Sequence, residues 1–321
     1  MRTVLFIAAA LLSAFLTGAY ARADETASCQ LKELASLDLA PVDNAVIVTA
    51  SFDGQDAPLL VDTGGNFSSL TWKASQDMGL RYDNIPRNMF FMMNGSDIKY
   101  VAFVKNLALG KLTASHFPFT VLPAEWTMKD ASGTLDPDIL ANYDIEFDFA
   151  KNKMNIISPD HCEGQVVYWT KTAYVALPLR LNEARQIFLI ANVDGTDMEA
   201  MIDTGSSHTY LRADMAEAIL GHTLTKADLV HVGKGADEGL DTYRVPFKTL
   251  TIGGIAVQNP DIVVLTDKLA DLQSPEEMHN DFRVPGMQAP ALLIGMSLLR
   301  KLHLYIAYKE EKLYVTGAGA Q

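Results

Sequence analysis

At 321 residues, 49% of them hydrophobic, the chain is long enough to bury a sizeable core and to divide into two domains. Its formal charge of −13, with no Lys/Arg cluster and no interleaving of basic with aromatic residues, excludes the electrostatic footprint of a nucleic-acid binder. The two cysteines and seven histidines fall at no metal-ligand spacing, so neither a metal nor a cofactor is expected.

Residues 1–23 have the layout of a secretory signal. Arg2 precedes an apolar core from Val4 to Leu16, and Ala21-Arg22-Ala23 fits the small-x-small rule for cutting after Ala23. The alternative is an uncleaved anchor, for which the apolar core is short of a bilayer span. After cleavage no integral membrane span is expected, and the mature chain is periplasmic or secreted. Loss of Arg2 and Arg22 makes it still more acidic. An oxidising destination suits an even pair of cysteines. Cys29, in the N-terminal segment 24–44, is expected to pair with Cys162, the alternative being two free thiols.

The first unit, residues 45–157, opens on the strand-like run Val46-Ile47-Val48-Thr49-Ala50 and an Asp53-Gly54 turn. The apolar run Pro58-Leu59-Leu60-Val61 then leads into Asp62-Thr63-Gly64. Asn94-Gly95-Ser96-Asp97 follows, with Tyr100 beyond it. After Thr134-Leu135-Asp136-Pro137, alternation in Ile145-Glu146-Phe147-Asp148-Phe149 predicts a strand with one face inward. A linker, 158–182, carries Pro159, Cys162 and Pro178.

The second unit, 183–317, repeats the series. Ile187-Phe188-Leu189-Ile190-Ala191 precedes Asp194-Gly195, and Ala200-Met201-Ile202 leads into Asp203-Thr204-Gly205-Ser206-Ser207. Helices are expected over 212–220 and 297–302. Between them lie a Gly-rich stretch, 233–239, with Tyr243 beyond it, and an insertion, 271–290, that reads as a surface loop. Sliding the chain by 141 positions puts Asp203 on Asp62 and Asp194-Gly195 on Asp53-Gly54. Later shifts of 143 and 159 put Tyr243 on Tyr100 and Leu299 on Leu140. With no long βαβ alternation, the chain reads as a duplicated, all-β barrel protein with few short helices.

Two carboxylates delivered by two copies of one unit suit acid–base chemistry. Close together they cannot both ionise cheaply, so one keeps its proton while the other takes a proton from water. Gly64 and Gly205 are expected to turn the chain sharply so that each Asp protrudes. Thr63 and Thr204 offer hydroxyls that reach the opposite loop. A Gly-x-Ser-x-Gly elbow, a P-loop and a His-Glu-x-x-His helix are all absent. The competing view, that both triplets are ordinary turns in an unrelated sandwich, leaves the long matched repeat unexplained.

On these residues the chain resembles the pepsin/retropepsin aspartic proteases, in particular two fused retropepsin-like domains of the kind found in exported bacterial proteins. The resemblance implies two β-barrel domains about a pseudo-twofold axis, with Asp62 and Asp203 as the catalytic dyad. It implies that Thr63 and Thr204 bond reciprocally between loops and that Ser206 bonds the outer oxygen of Asp203. Leu293-Ile294-Gly295 would pack beneath the second loop. Flap hairpins would carry Gly95 and Gly235, with Tyr100 and Tyr243 either lining the cleft or packing. A peptide or protein substrate would lie extended between the units, and a monomer would hold the whole active site. The implied activity is an aspartic endopeptidase; the alternative is an inactive descendant that binds extended peptides. Two departures stand out: Gly65 where the second loop has Ser206, and Asp136 where it has Gly295. Either a third carboxylate perturbs the dyad, or the first unit packs differently there.

Overall fold

The computed structural model describes residues 30–42, 44–85, 92–93, 96–234, 241–265 and 290–320. The signal-like segment, Cys29, Gly95, Gly235 and nearly all of the 271–290 insertion lie outside the described residues. The expected all-β architecture is present: two sheet-built domains of one kind, related by a pseudo-twofold axis, with short helices.

Each unit begins with the same hairpin. Ala45–Phe52 pairs with Gln55–Val61, and Ile187–Val193 with Thr196–Ile202. The two-residue turns are Asp53-Gly54 (φ 52° and 88°) and Asp194-Gly195 (φ 46° and 93°), the double positive φ that matches strand twist. Both aspartates also serve a neighbouring strand, Asp53 accepting the Asn106 amide at 3.0 Å and Asp194 the Thr249 amide at 2.7 Å.

In the first unit the sheet closes on itself. From Ala45–Phe52 it runs through Gln55–Val61, Gly133–Leu135, Ser69–Leu70, Leu112–Val121 and Tyr100–Leu109, and back to Ala45–Phe52. In the second unit each of the two long strands is split, into Asp241–Arg244 with Thr249–Ile252 and into Ile255–Gln258 with Ile262–Leu265. Pro246 and Pro260 sit at the two breaks, where a residue without an amide proton cannot donate to the ladder.

A third, six-stranded sheet joins the halves in the order Glu33–Asp38, Lys153–Ile157, Asp144–Asp148, Leu302–Ala307, Lys312–Gly317, Val175–Pro178. Its centre is the antiparallel pair Ile145↔Ile306 and Phe147↔Leu304, one strand from each unit. The expectation of one inward face for the first of these strands is corrected here. Every residue of Asp144–Asp148 and of Leu302–Ala307 is buried, because the linker folds over the second face. Val166 packs there with Tyr305 and Tyr314, and Trp169 stacks on His303 at 4.4 Å. Glu146, buried with it, is paired across the halves with His303 Nε2 at 2.8 Å, and also accepts Asn155 Nδ2 of its own unit at 2.7 Å and the Tyr168 hydroxyl of the linker.

Four short helices are described, and they too come in repeat-related pairs. Trp72–Asp77 corresponds to Ala213–Leu220, and Pro137–Leu140 to Met296–Leu299. The helix expected at 212–220 starts one residue later, with Arg212 as its N-cap, and that expected at 297–302 is the single turn Met296–Leu299. Those of the first unit are too short to show a helical period in sequence. Thr71 caps the earlier one, its hydroxyl accepting the Ala74 amide at 3.1 Å.

Candidate active site

Asp62 and Asp203 each follow the last residue of a hairpin strand, and a third strand fixes each in place. Gly133–Leu135 runs parallel to Gln55–Val61, and the Leu135 carbonyl accepts the Asp62 amide at 3.0 Å. Leu292–Ile294 runs parallel to Thr196–Ile202, and the Ile294 carbonyl accepts the Asp203 amide at 3.0 Å. The Leu293-Ile294-Gly295 segment thus lies directly alongside the second loop.

Four reciprocal hydrogen bonds hold the two loops together. The Thr63 amide donates to Thr204 Oγ1 and the Thr204 amide to Thr63 Oγ1, both at 3.1 Å. In turn the Thr63 hydroxyl donates to the Ile202 carbonyl at 2.9 Å and the Thr204 hydroxyl to the Val61 carbonyl at 2.7 Å. Both threonines are fully buried, so each of these bonds forms in a setting where losing it is costly.

The lock brings the two carboxylates into hydrogen-bond contact. Within its own loop, Asp62 Oδ1 accepts the Gly64 and Gly65 amides, both at 2.9 Å. Asp203 Oδ1 likewise accepts the Gly205 amide at 2.8 Å and the Ser206 amide at 3.0 Å. Burial pushes the Asp62 carboxyl up, against the hydrogen bonds from Asp203 and the two amides. Burial, the charge of Asp62 and the hydrogen bond to it hold Asp203 well above the usual carboxylate range. Both shifts favour the protonated form, so the two groups do not readily ionise together, the behaviour for which aspartic proteases are a standard example.

The two glycines have a different reason from the one expected. Neither Gly64 nor Gly205 has positive φ. A Cβ on Gly64 would stand 2.5 Å from Asp203 Cγ, and one on Gly205 would stand 2.3 Å from Asp62 Cγ. Each glycine is required because the opposite carboxylate lies flat against it. Ser206 is also corrected: its hydroxyl donates to the His208 carbonyl at 3.0 Å, and its amide, not its side chain, reaches Asp203.

Residues beyond the motifs complete the floor. The Ser68 hydroxyl accepts the Asp136 amide at 3.0 Å and donates to Asp138 Oδ1 at 2.6 Å. Thr209 and Ser297 hold the same places in the second unit: Thr209 Oγ1 accepts the Gly295 amide at 3.2 Å, and its amide donates to Ser297 Oγ at 3.1 Å. Burial pushes the Asp138 carboxyl up to about 6, despite the bonds from Ser68. The shifts of 141 and 159 that align the repeats also align these residues. Gln186 left no such signal, since Ala45 stands in its repeat position; its side-chain amide caps the Gly64 carbonyl.

Of the expected cleft aromatics, Tyr100 packs with Trp72 at 5.6 Å and Tyr82 at 5.4 Å, and Tyr243 with His231 at 5.5 Å. Both are half-buried. Met92–Met93 pairs with Ser96–Asp97, on either side of the expected first flap turn, while Gly95 and Gly235 themselves fall outside the described residues.

Comparison with known proteins agrees with this geometry. No curated protein sequence matches the chain. Among solved structures, an aspartic proteinase from Irpex lacteus is similar at TM-score 0.51 and 12% identity, over 89% of this chain and 97% of that one. Basic 7S globulin from soybean is similar at 0.51 and 10%, over 90% and 96%, and conglutin gamma from lupine seeds at 0.50 and 10%, over 89% and 95%. At such identities the likeness shows the pepsin-like fold alone. The family model described as aspartyl protease matches residues 48–140 and 189–298, one stretch in each unit and each containing one Asp-Thr-Gly. The chain belongs to the aspartyl protease family.

Proposed function

We propose that this protein is an endopeptidase that hydrolyses peptide bonds with a water activated by Asp62 and Asp203. The observation that carries the reading is the reciprocal threonine lock, which holds two buried carboxyls in contact so that they share one proton. With a water between them, the ionised carboxylate takes its proton as the oxygen attacks the scissile carbonyl carbon. The protonated partner gives its proton to the carbonyl oxygen, so no oxyanion develops unprotected. Collapse of the tetrahedral diol returns a proton to the leaving amine and restores the starting pair. The substrate would lie extended across the loops between the two units, paired with the flap strands. One chain carries both aspartates, so the monomer suffices. On the strength of residues 1–23, the proposal includes export to an oxidising compartment, with a Cys29–Cys162 bridge tying the mature N-terminus to the linker.

The test is incubation of the purified mature protein with an unfolded protein substrate from acid to neutral pH, with and without a statine-type inhibitor. Cleavage should be blocked by the inhibitor. It should fall by about 10²–10⁴-fold in Asp62→Asn and in Asp203→Asn separately, the range for losing a positioned acid or base. A second reading, an inactive peptide binder, is favoured by the unequal floors of the two loops. Inhibitor binding without any turnover would select it.

A further inference from the structure

The two departures of the first loop are a single fit. A Cβ placed on Gly65 would stand 2.1 Å from Asp136 Oδ2 and 2.5 Å from Asp136 Cγ. The Asp136 carboxyl therefore fills the space that the Ser206 side chain fills in the second loop. There backbone, and not a side chain, keeps the second position bare: a Cβ on Gly295 would stand 2.0 Å from the His208 carbonyl oxygen and 2.7 Å from that of Ser206. Each loop has one side chain and one glycine at these two positions, with the owner exchanged. Serine at 65 together with Asp136 collides, and glycine at both positions leaves a void.

We propose that Asp136 is a positioning residue for Asp62, acting through Gly65 as one side of a matched pair. Asp136 is itself rigidly held. It is almost wholly buried, its amide donates to Ser68 Oγ at 3.0 Å, and its carbonyl accepts the Ile139 and Leu140 amides, both at 3.0 Å. The strand before it, Gly133–Leu135, is in register with the strand that ends at Val61, just before Asp62. Its carboxyl occupies the space where a Gly65 side chain would begin, and the Gly65 amide donates to Asp62 Oδ1 at 2.9 Å. Position 136 thereby sets where that amide points and where the Asp62 carboxylate sits relative to Asp203. The other carboxyls around this point are Asp62, Asp203 and Asp138.

The kinetic consequence rests on the hydrolytic reading; the structural pairing does not. The test is a cycle of Gly65→Ser, Asp136→Gly and the double variant, which rebuilds the floor of the second loop, together with Asp136→Asn. Each single variant should lose roughly 10–100-fold in kcat with KM little changed, since a small displacement of a reacting group costs on that order. The double variant should recover to within about threefold of the parent, far above the product of the two losses. Asp136→Asn keeps the shape and should hold kcat within about threefold, and it tests the fold if the singles do not accumulate. An additive double variant, an Asn variant as damaged as the Gly variant, or singles with unchanged kcat would each overturn the proposal. Should the parent show no turnover, the hydrolytic reading fails on its own. The pair is then judged by Tm and statine-inhibitor affinity across the same four proteins, where additivity again overturns it.

Discussion

The two catalytic loops are alike where they touch and different one layer below. Asp62-Thr63-Gly64 and Asp203-Thr204-Gly205 meet at the pseudo-twofold axis, and the contacts between the two triplets are made by residues with their own counterparts: threonine to threonine, glycine to opposite carboxylate. A change in one copy must fit the unchanged partner, so neither half can drift alone. Beneath the loops each unit satisfies only itself. There the solutions diverge, to Gly65 with Asp136 against Ser206 with Gly295, and to Ser68 with Asp138 against Thr209 with Ser297. Further out, the second unit breaks both long strands at prolines where the first keeps them whole. Symmetry in this molecule is a property of the axis and fades with distance from it.

If the axis is symmetric in energy as well as in shape, Thr63→Val and Thr204→Val should cost the same. Each removes the hydroxyl that donates to the facing carbonyl and accepts the facing amide, leaving two buried polar groups without partners. At about 1–3 kcal/mol for each orphan, the loss of stability is about 2–6 kcal/mol per variant. Denaturant unfolding of the two side by side checks it, and a difference of several kcal/mol between them would break the symmetry claim. Gly64→Ala and Gly205→Ala are the next largest in stability, about 1–3 kcal/mol each for a methyl group forced against a held carboxylate. The added methyl at 64 strikes Asp203, and that at 205 strikes Asp62, so both should abolish statine-inhibitor binding as well. A normal inhibitor affinity in either would show that the loops separate without harm.

What could be read from sequence was the part in which geometry demands a particular residue. Positive φ calls for Asp-Gly at 53–54 and 194–195, and the axis calls for Thr-Gly after each aspartate; those demands leave the same letters twice. The six-stranded sheet was not legible because Glu146 and Asp148 look like a solvent face. Their burial depends on His303 and Tyr168, which lie far along the chain and in the linker. The reason for Gly64 and Gly205 was misread, since a glycine that grants clearance and one that grants a turn are the same letter. Gly65 and Asp136, 71 positions apart, looked like two faults because their contact exists only in space.

The smallest of the effects separates the two floors by charge. Asp138 has a carboxyl where the second unit has the hydroxyl of Ser297, and burial holds that carboxyl at about 6 in the folded protein, against roughly 3.9 in an unfolded chain. A folded-state value above the unfolded one means that the native protein holds the proton more tightly. The contribution is therefore greatest below the unfolded value and is lost as pH rises through about 6. Over pH 5 to 7 that amounts to about 1 kcal/mol. Asp138→Asn keeps an oxygen for the Ser68 amide and hydroxyl but cannot titrate. The parent should accordingly lose about 1 kcal/mol relative to this variant across that interval, while Ser297→Ala shifts stability by the same amount at both ends. Parallel curves for the parent and Asp138→Asn would mean that the aspartate is already ionised at pH 5, and that the two floors differ in shape alone.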